Sequence, residues 1–177
     1  MQKRPLPGAF AFPAPAAWCM RFSGWKSFPW GDQADDRTNG TNGEPDPVYA
    51  YDAGSPVKHA VAVRILEDLW KNGNGILSTQ ILQEFFVNVT KKIPKPIPVA
   101  VGREIVEDFL KWRIVPVEGR TILRAIDLHG KQPKYAFWDS LVIQSAIEGG
   151  ARWLLSEDLR DGQRIGDLTI RNPFLHE

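Results

Sequence analysis

The chain has a single cysteine, no long apolar run and no strong excess of charge of either sign. Because Cys19 cannot close an internal disulfide, we expect a protein of the reducing cytoplasm. No apolar run approaches the roughly 18 residues that a membrane helix requires, so we predict no membrane span. The formal net charge of +1 does not by itself indicate a nucleic-acid binder, which needs a local basic surface, and it leaves the partner open.

Residues 1–47 differ in character from the rest of the chain. They hold half of the fourteen prolines and three of the seven tryptophans, without sustained helical or strand periodicity. Pro13 and Pro15 interrupt what would be the apolar core of a signal peptide, which argues against export. We predict that residues 1–47 are a poorly structured extension and that residues 48–177 form one domain.

From Val48 onward, short apolar runs alternate with amphipathic segments, which predicts an α/β domain with a mostly parallel sheet. Strands are predicted where the chain reads VYAYD (48–52), GILS (75–78), RIVPV (113–117) and ARWLLS (151–156), and at 168–170. Helices are predicted from Pro56 to about residue 73, from Thr79, and over 99–111, 121–128 and 137–148. The short connections between these elements favour parallel neighbouring strands.

Three acidic residues follow strands or begin helices in this scheme. Asp158 comes directly after a predicted strand, Glu84 lies about a turn and a half into the helix after Ser78, and Asp139 lies in the first turn of its helix. Ligands of open parallel sheets bind outside the carboxyl ends of the strands, where these carboxylates would converge. Oxygen ligands suit Mg²⁺ or Mn²⁺. Each acid also has a structural explanation, as a helix-dipole partner, a turn residue or a solvated helix position.

Three phrases of the chain resemble the PIN-domain ribonucleases, and in particular the VapC-type toxins of bacterial toxin–antitoxin pairs. The phrases are STQILQEFF, FWDSL and LLSED, and the resemblance covers about Val48 to Phe174. It implies a three-layer PIN-like fold in which helices flank a central, mostly parallel sheet. The roles that the resemblance implies are catalysis and metal binding by Glu84, Asp139 and Asp158, with Asp161 as an additional metal ligand and Ser156 in support.

The resemblance implies a Mg²⁺-dependent endoribonuclease, cytoplasmic and inhibited by a cognate antitoxin. The expected partners are an RNA substrate, the antitoxin and a second copy of the chain. In such a site the metal lowers the pKa of a bound water and neutralises charge that develops on phosphorus. Arg160 and Arg164, close after Asp158, are candidates for phosphate contacts, although a solvated surface explains them equally well. Trp138 is expected in the core rather than as a platform for a nucleobase.

The chain departs from the family pattern at its first acid. The expected Asp-Thr-Asn triplet falls near 43–45, where this chain reads Gly-Glu-Pro, and Pro45 and Pro47 interrupt the expected central strand. Either Glu44 or Asp46 replaces the lost ligand, or an unrelated sequence has replaced the native start. The alternative function is therefore a catalytically impaired PIN-like module that binds RNA or an antitoxin without cutting.

Overall fold

The structure, a computed structural model, describes residues 18–20, 56–93 and 96–175. Its strands are β1 (Trp18–Met20), β2 (Gly75–Ser78), β3 (Arg113–Val115), β4 (Trp153–Leu155), β5 (Arg164–Ile165) and β6 (Leu168–Arg171). Its α-helices are α1 (Pro56–Asn72), α2 (Thr79–Val87), α3 (Val99–Phe109), α4 (Gly119–Lys131) and α5 (Phe137–Glu148). A π-helical turn, Asn88–Lys92, continues α2.

The six described strands form one sheet in the order β3-β2-β1-β4-β6-β5. The pairs along β3, β2, β1, β4 and β6 are parallel, and β5 is antiparallel to β6. Cys19 lies between Ile76 of β2 and Leu154 of β4. The predicted α/β fold with a mostly parallel central sheet and flanking helices is confirmed.

The central strand comes from a part of the chain where the sequence predicts none. Trp18–Met20 pairs with both β2 and β4 and lies within residues 1–47, for which we predict a poorly structured extension. The strand predicted at 48–52 lies outside the described residues. The proposed division at residue 47 remains a prediction, but it separates β1 from the sheet that β1 joins.

The later elements agree closely with the sequence pattern. The predicted strand at 75–78 and the predicted helix at 137–148 are found with the same limits. Helix α3 ends at Phe109 rather than at 111, and Leu110, which the apolar pattern of the predicted helix puts on its core side, is 56% exposed. The sequence pattern predicts β6 but not β5, so the β5–β6 hairpin is a feature that only the structure shows. Its turn begins at Gly166, whose φ of 59° belongs to the left-handed region that glycine favours.

The helices bury their apolar faces against the sheet. The apolar residues that recur at helical spacing along α1 are all buried, as this spacing predicts: Val61, Ile65, Leu66 and Leu69. In α2, Ser78 caps the helix by accepting a hydrogen bond from the N–H of Ile81 at 3.3 Å, and Phe85 is fully buried. No helix among the described residues combines the length and apolar character needed to cross a membrane.

Helices α4 and α5 are joined through one carboxylate, that of Glu148. Its oxygens accept hydrogen bonds from Thr121 at 2.7 Å, from Arg124 at 3.0 Å and from Gln144 at 3.0 Å. Burial raises the pKa of Glu148, but these hydrogen bonds and the charge of Arg124 outweigh it and hold the pKa below its usual value of 4.5. The carboxylate therefore stabilises the pairing of the two helices in its ionised form.

Candidate functional site

The side of the sheet where β2, β1 and β4 end, called here the carboxyl edge, is defined by strand register. Met20 pairs with Leu155, and Cys19 pairs with Ile76. Ser78 and Ser156 are therefore level with each other, one residue beyond Met20 along the strand direction. Because neighbouring strands lie about 4.8 Å apart, these serines are separated by about 10 Å, with the end of β1 between them. This is the position at which open parallel sheets bind ligands.

The chain after β4, residues 156–161, is held by hydrogen bonds on several sides. Ser156 is fully buried, and its N–H donates to the carbonyl of Arg171 at 2.9 Å. Its hydroxyl accepts from the N–H of Asp158 at 3.3 Å, so Ser156 both ends the strand and orients the residue that follows. Asp161 accepts from the N–H of Asn172 at 2.8 Å, which joins the loop to the end of β6. The side chain of Asp158 is exposed.

Asp139 lies in the first turn of α5 and is half-buried. Its Oδ2 accepts a hydrogen bond from the N–H of Ala136 at 3.2 Å. The residue therefore satisfies a free donor at the helix N-terminus, which is the structural explanation offered by the sequence.

Tyr135, which precedes α5, is 3% exposed, and burial raises the pKa of its phenol, while the nearby side chain of Gln163 acts in the opposite direction. The Tyr135 hydroxyl makes no hydrogen bond to the described residues. Since Gln163 follows the 156–161 loop by two residues, the segment before α5 lies toward the chain that follows β4.

Glu84 occupies the sixth position of α2 and is half-buried. Its Oε1 accepts a hydrogen bond of 2.7 Å from Nε2 of Gln80, one turn earlier in the helix. Gln80 is only 5% exposed, and its own side-chain oxygen has no hydrogen-bond partner among the described residues. The sequence analysis overlooked Gln80, although a glutamine four residues before a glutamate in an apolar helix is a recognisable signal.

The described residues do not by themselves form a cation site. No three histidine, cysteine, aspartate or glutamate side chains in 18–20, 56–93 and 96–175 lie close enough together to hold a metal ion. Glu84, Asp139 and Asp158 are thus distributed over three elements without forming a complete set of metal ligands within this part of the chain. A complete metal site would require a further ligand from outside these residues.

A second feature that the sequence analysis missed is an ion pair between α1 and the 156–161 loop. Nζ of Lys58 lies 2.8 Å from Oε2 of Glu157, and the Glu157 side chain is only 16% exposed. The same ammonium group lies 5.1 Å from the ring centroid of Phe174. No local pattern predicts this pair, because 99 positions separate its members.

The remaining candidates lie on the surface. Arg160 and Arg164 are both exposed. Their exposure agrees both with a contact to phosphate and with a solvated surface. Trp138 is 58% exposed, so its expected place in the core is wrong. Its ring packs at an angle against Phe137, with centroids 5.3 Å apart.

Comparison with known proteins gives a likeness in structure and none in sequence. No family model matches the chain, and no curated protein matches it. Among solved structures it is similar to VapC20 of Mycobacterium tuberculosis, described as a Sarcin-Ricin loop cleaving toxin. The TM-score is 0.50 at 13% identity, and the match covers 83% of this chain and 92% of the other. The chain has a VapC-like fold. At this identity the likeness concerns the fold alone, and the VapC-like arrangement agrees with the predicted PIN-like architecture.

Proposed function

We propose that the chain is a metal-dependent endoribonuclease of a toxin–antitoxin system that hydrolyses RNA phosphodiester bonds. The observation that carries this proposal is the VapC-like fold, which spans 92% of a toxin described as cleaving the Sarcin-Ricin loop. The placement of Asp158 supports it, since Asp158 is the third residue after β4 at the carboxyl edge, and Asp139 lies in the first turn of α5. RNA and an antitoxin are the expected partners, with a second copy of the chain and a cytoplasmic location.

In this proposal Glu84, Asp139 and Asp158 supply the carboxylates of the site. Asp161, whose Oδ1 accepts from Asn172, is the additional carboxylate, and Ser156 orients the backbone at Asp158. Mg²⁺ or Mn²⁺, if bound, would supply a Lewis acid and a water of lowered pKa. The described residues do not complete such a site. The proposal therefore needs a ligand from the chain between Met20 and Pro56, where the sequence contains Glu44 and Asp46.

A second candidate function is a VapC-like module that binds RNA or an antitoxin without cleaving. The observation that favours it is the identity of the residues after the central strand. Met20 ends β1 and is followed in the sequence by Arg21, Phe22 and Ser23, none of which is acidic. The three residues that follow β1 in the sequence therefore include a cation and no carboxylate that could bind a metal ion.

The test compares cleavage of a mixed RNA pool by the wild type and by Asp139→Asn, with Mg²⁺, with Mn²⁺ and with a chelator. Asp167→Asn is the matched control, because Asp167 is an exposed residue of the β5–β6 turn, at the opposite end of β6 from Asn172. Calorimetric titration of the same proteins with Mn²⁺ measures cation binding without RNA.

Cleavage that requires the metal, falls by more than about 100-fold in Asp139→Asn and persists in Asp167→Asn is the expected result. A folded wild type that neither cleaves RNA nor binds Mn²⁺ would contradict the nuclease proposal. Retention of RNA in a gel-shift assay by that same inactive protein would then support the binding module.

A further inference from the structure

Lys58 joins two parts of the chain that both lie next to the carboxyl edge. It is in the first turn of α1, and its partner Glu157 is the second residue after β4. The ion pair of 2.8 Å connects the beginning of α1 with the residue immediately before Asp158. The ammonium group also faces the ring of Phe174, so three separate segments meet at one lysine.

Two hydrogen bonds hold the acidic residues of the 156–161 loop from within the loop and from the end of β6. Asp158 is held through Ser156, and Asp161 through the N–H of Asn172. Phe174 is held next to Asn172, because its N–H donates to Oδ1 of Asn172 at 3.0 Å. These bonds fix the loop to the sheet. The Lys58–Glu157 pair is a side-chain contact that fixes the loop to α1.

We propose that Lys58 is a positioning residue that, through Glu157, holds Asp158 in place at the carboxyl edge. Its catalytic consequence rests on the proposed nuclease function. The structural consequence, order in the 156–161 loop, does not depend on that function. Glu157 is largely shielded from water, so removal of the Lys58 charge weakens the stabilisation of this carboxylate and favours its rotation toward solvent. Such a movement displaces the adjacent backbone, which carries Asp158.

Amide hydrogen exchange tests this directly in the full chain. The variants are Lys58→Met, which keeps most of the side-chain stem without charge, and Lys58→Arg, which keeps the charge. Glu157→Gln removes the pair from its other side. Arg124→Met is the matched control, because Arg124 also pairs with a carboxylate distant in sequence, at 3.0 Å, and is similarly exposed, but belongs to the α4–α5 contact.

The amides of Asp158 and Asn172 are the reporters, since both hydrogen bonds belong to the loop. In Lys58→Met and Glu157→Gln we expect their exchange to be faster by about three- to fivefold, the range of a partly exposed ion pair. Lys58→Arg and Arg124→Met are expected to exchange as the wild type does. Unchanged exchange at Asp158 in both Lys58→Met and Glu157→Gln would overturn the proposal.

The second readout is RNA cleavage with kcat and KM measured separately. Loss of position at Asp158 is expected to lower kcat by about tenfold, with KM changed less than twofold and with recovery in Lys58→Arg. A fall in kcat that Arg124→Met shares would mean a general loss of stability and would count against the proposal. If amide exchange is faster in Lys58→Met and Glu157→Gln but the wild type cleaves no RNA, Lys58 remains a positioning residue and the nuclease function is contradicted instead.

Discussion

The indole ring of Trp112 lies against Gly75 so closely that a Cβ on that residue would overlap its six-membered ring. Gly75 begins β2, and Trp112 immediately precedes β3, so the contact lies where these two parallel strands start. Trp112 also packs against Phe109 and Trp70, with ring centroids 5.3 Å and 5.2 Å away. The absence of a side chain at Gly75 therefore lets an aromatic cluster close over the amino end of the sheet.

Replacement of Gly75 by alanine is expected to destabilise the protein by about 1–3 kcal/mol, because the ring system must move to admit a methyl group. Unfolding in urea, followed by circular dichroism, measures the change. Gly130→Ala is the control, since a Cβ at this position in α4 meets nothing within 4 Å. There we expect a gain of up to about 1 kcal/mol from helix propensity. Equal effects at the two glycines would contradict the role assigned to Trp112.

The acid dependence of stability is expected to depend on Glu148. Its pKa in the folded protein lies below the usual 4.5, so its contribution is complete above that value and is lost as pH falls through the folded pKa. Glu148→Gln should therefore cost about 1–2 kcal/mol at pH 7 and progressively less below pH ~4.5. Urea midpoints at several pH values measure this. A difference between the two proteins that stays constant with pH would refute the assignment.

Ser78→Ala is expected to cost about 1 kcal/mol, because the hydroxyl caps α2 through the N–H of Ile81. Ser145→Ala provides a comparison at equal burial. Both serines are fully buried, but the Ser145 hydroxyl donates to the Leu141 carbonyl within its own helix, a bond that adds little to helix stability. Thermal unfolding of both variants decides the matter, and a larger loss for Ser145→Ala would exclude the capping role.

Removal of residues 1–47 is expected to abolish cooperative folding, since it removes β1 from between β2 and β4. A chain that begins at residue 16 retains β1 and is expected to fold. Thermal unfolding and dispersion of amide proton shifts distinguish the two outcomes. A cooperatively folded chain of residues 48–177 would support the domain division made from the sequence and would contradict the central position of Trp18–Met20.

Long apolar elements with local start and stop signals were predictable, and short elements were not. Helix α5 has buried residues along most of its length, an acidic residue in its first turn and two glycines after its end, so both of its limits could be predicted. Strand β1 contains only three residues within a proline-rich segment, and β5 only two. A strand of this length has too few residues to show alternation, and its place is decided by its neighbours in the sheet. Leu110 was misplaced because helix α3 ends one residue before it.

Only those parts of the site that depend on local sequence were predictable. The helix N-terminus at Asp139 and the strand end before Asp158 are local features that residue patterns reveal. The pairing of Gln80 with Glu84 spans one helical turn and was accessible in principle. The ion pair of Lys58 with Glu157 depends on the tertiary fold, so no window of sequence contains it.

The location of β1 has a consequence for synthesis on the ribosome. Trp18 emerges early, yet one of its two partners, Trp153, is synthesised 135 residues later. Until then one edge of the central strand has unpaired N–H and C=O groups, which invite pairing with other nascent chains. Completion of the sheet is therefore a late event, and we expect the yield of native protein to depend more on chaperones and translation rate than on the stability of the finished fold.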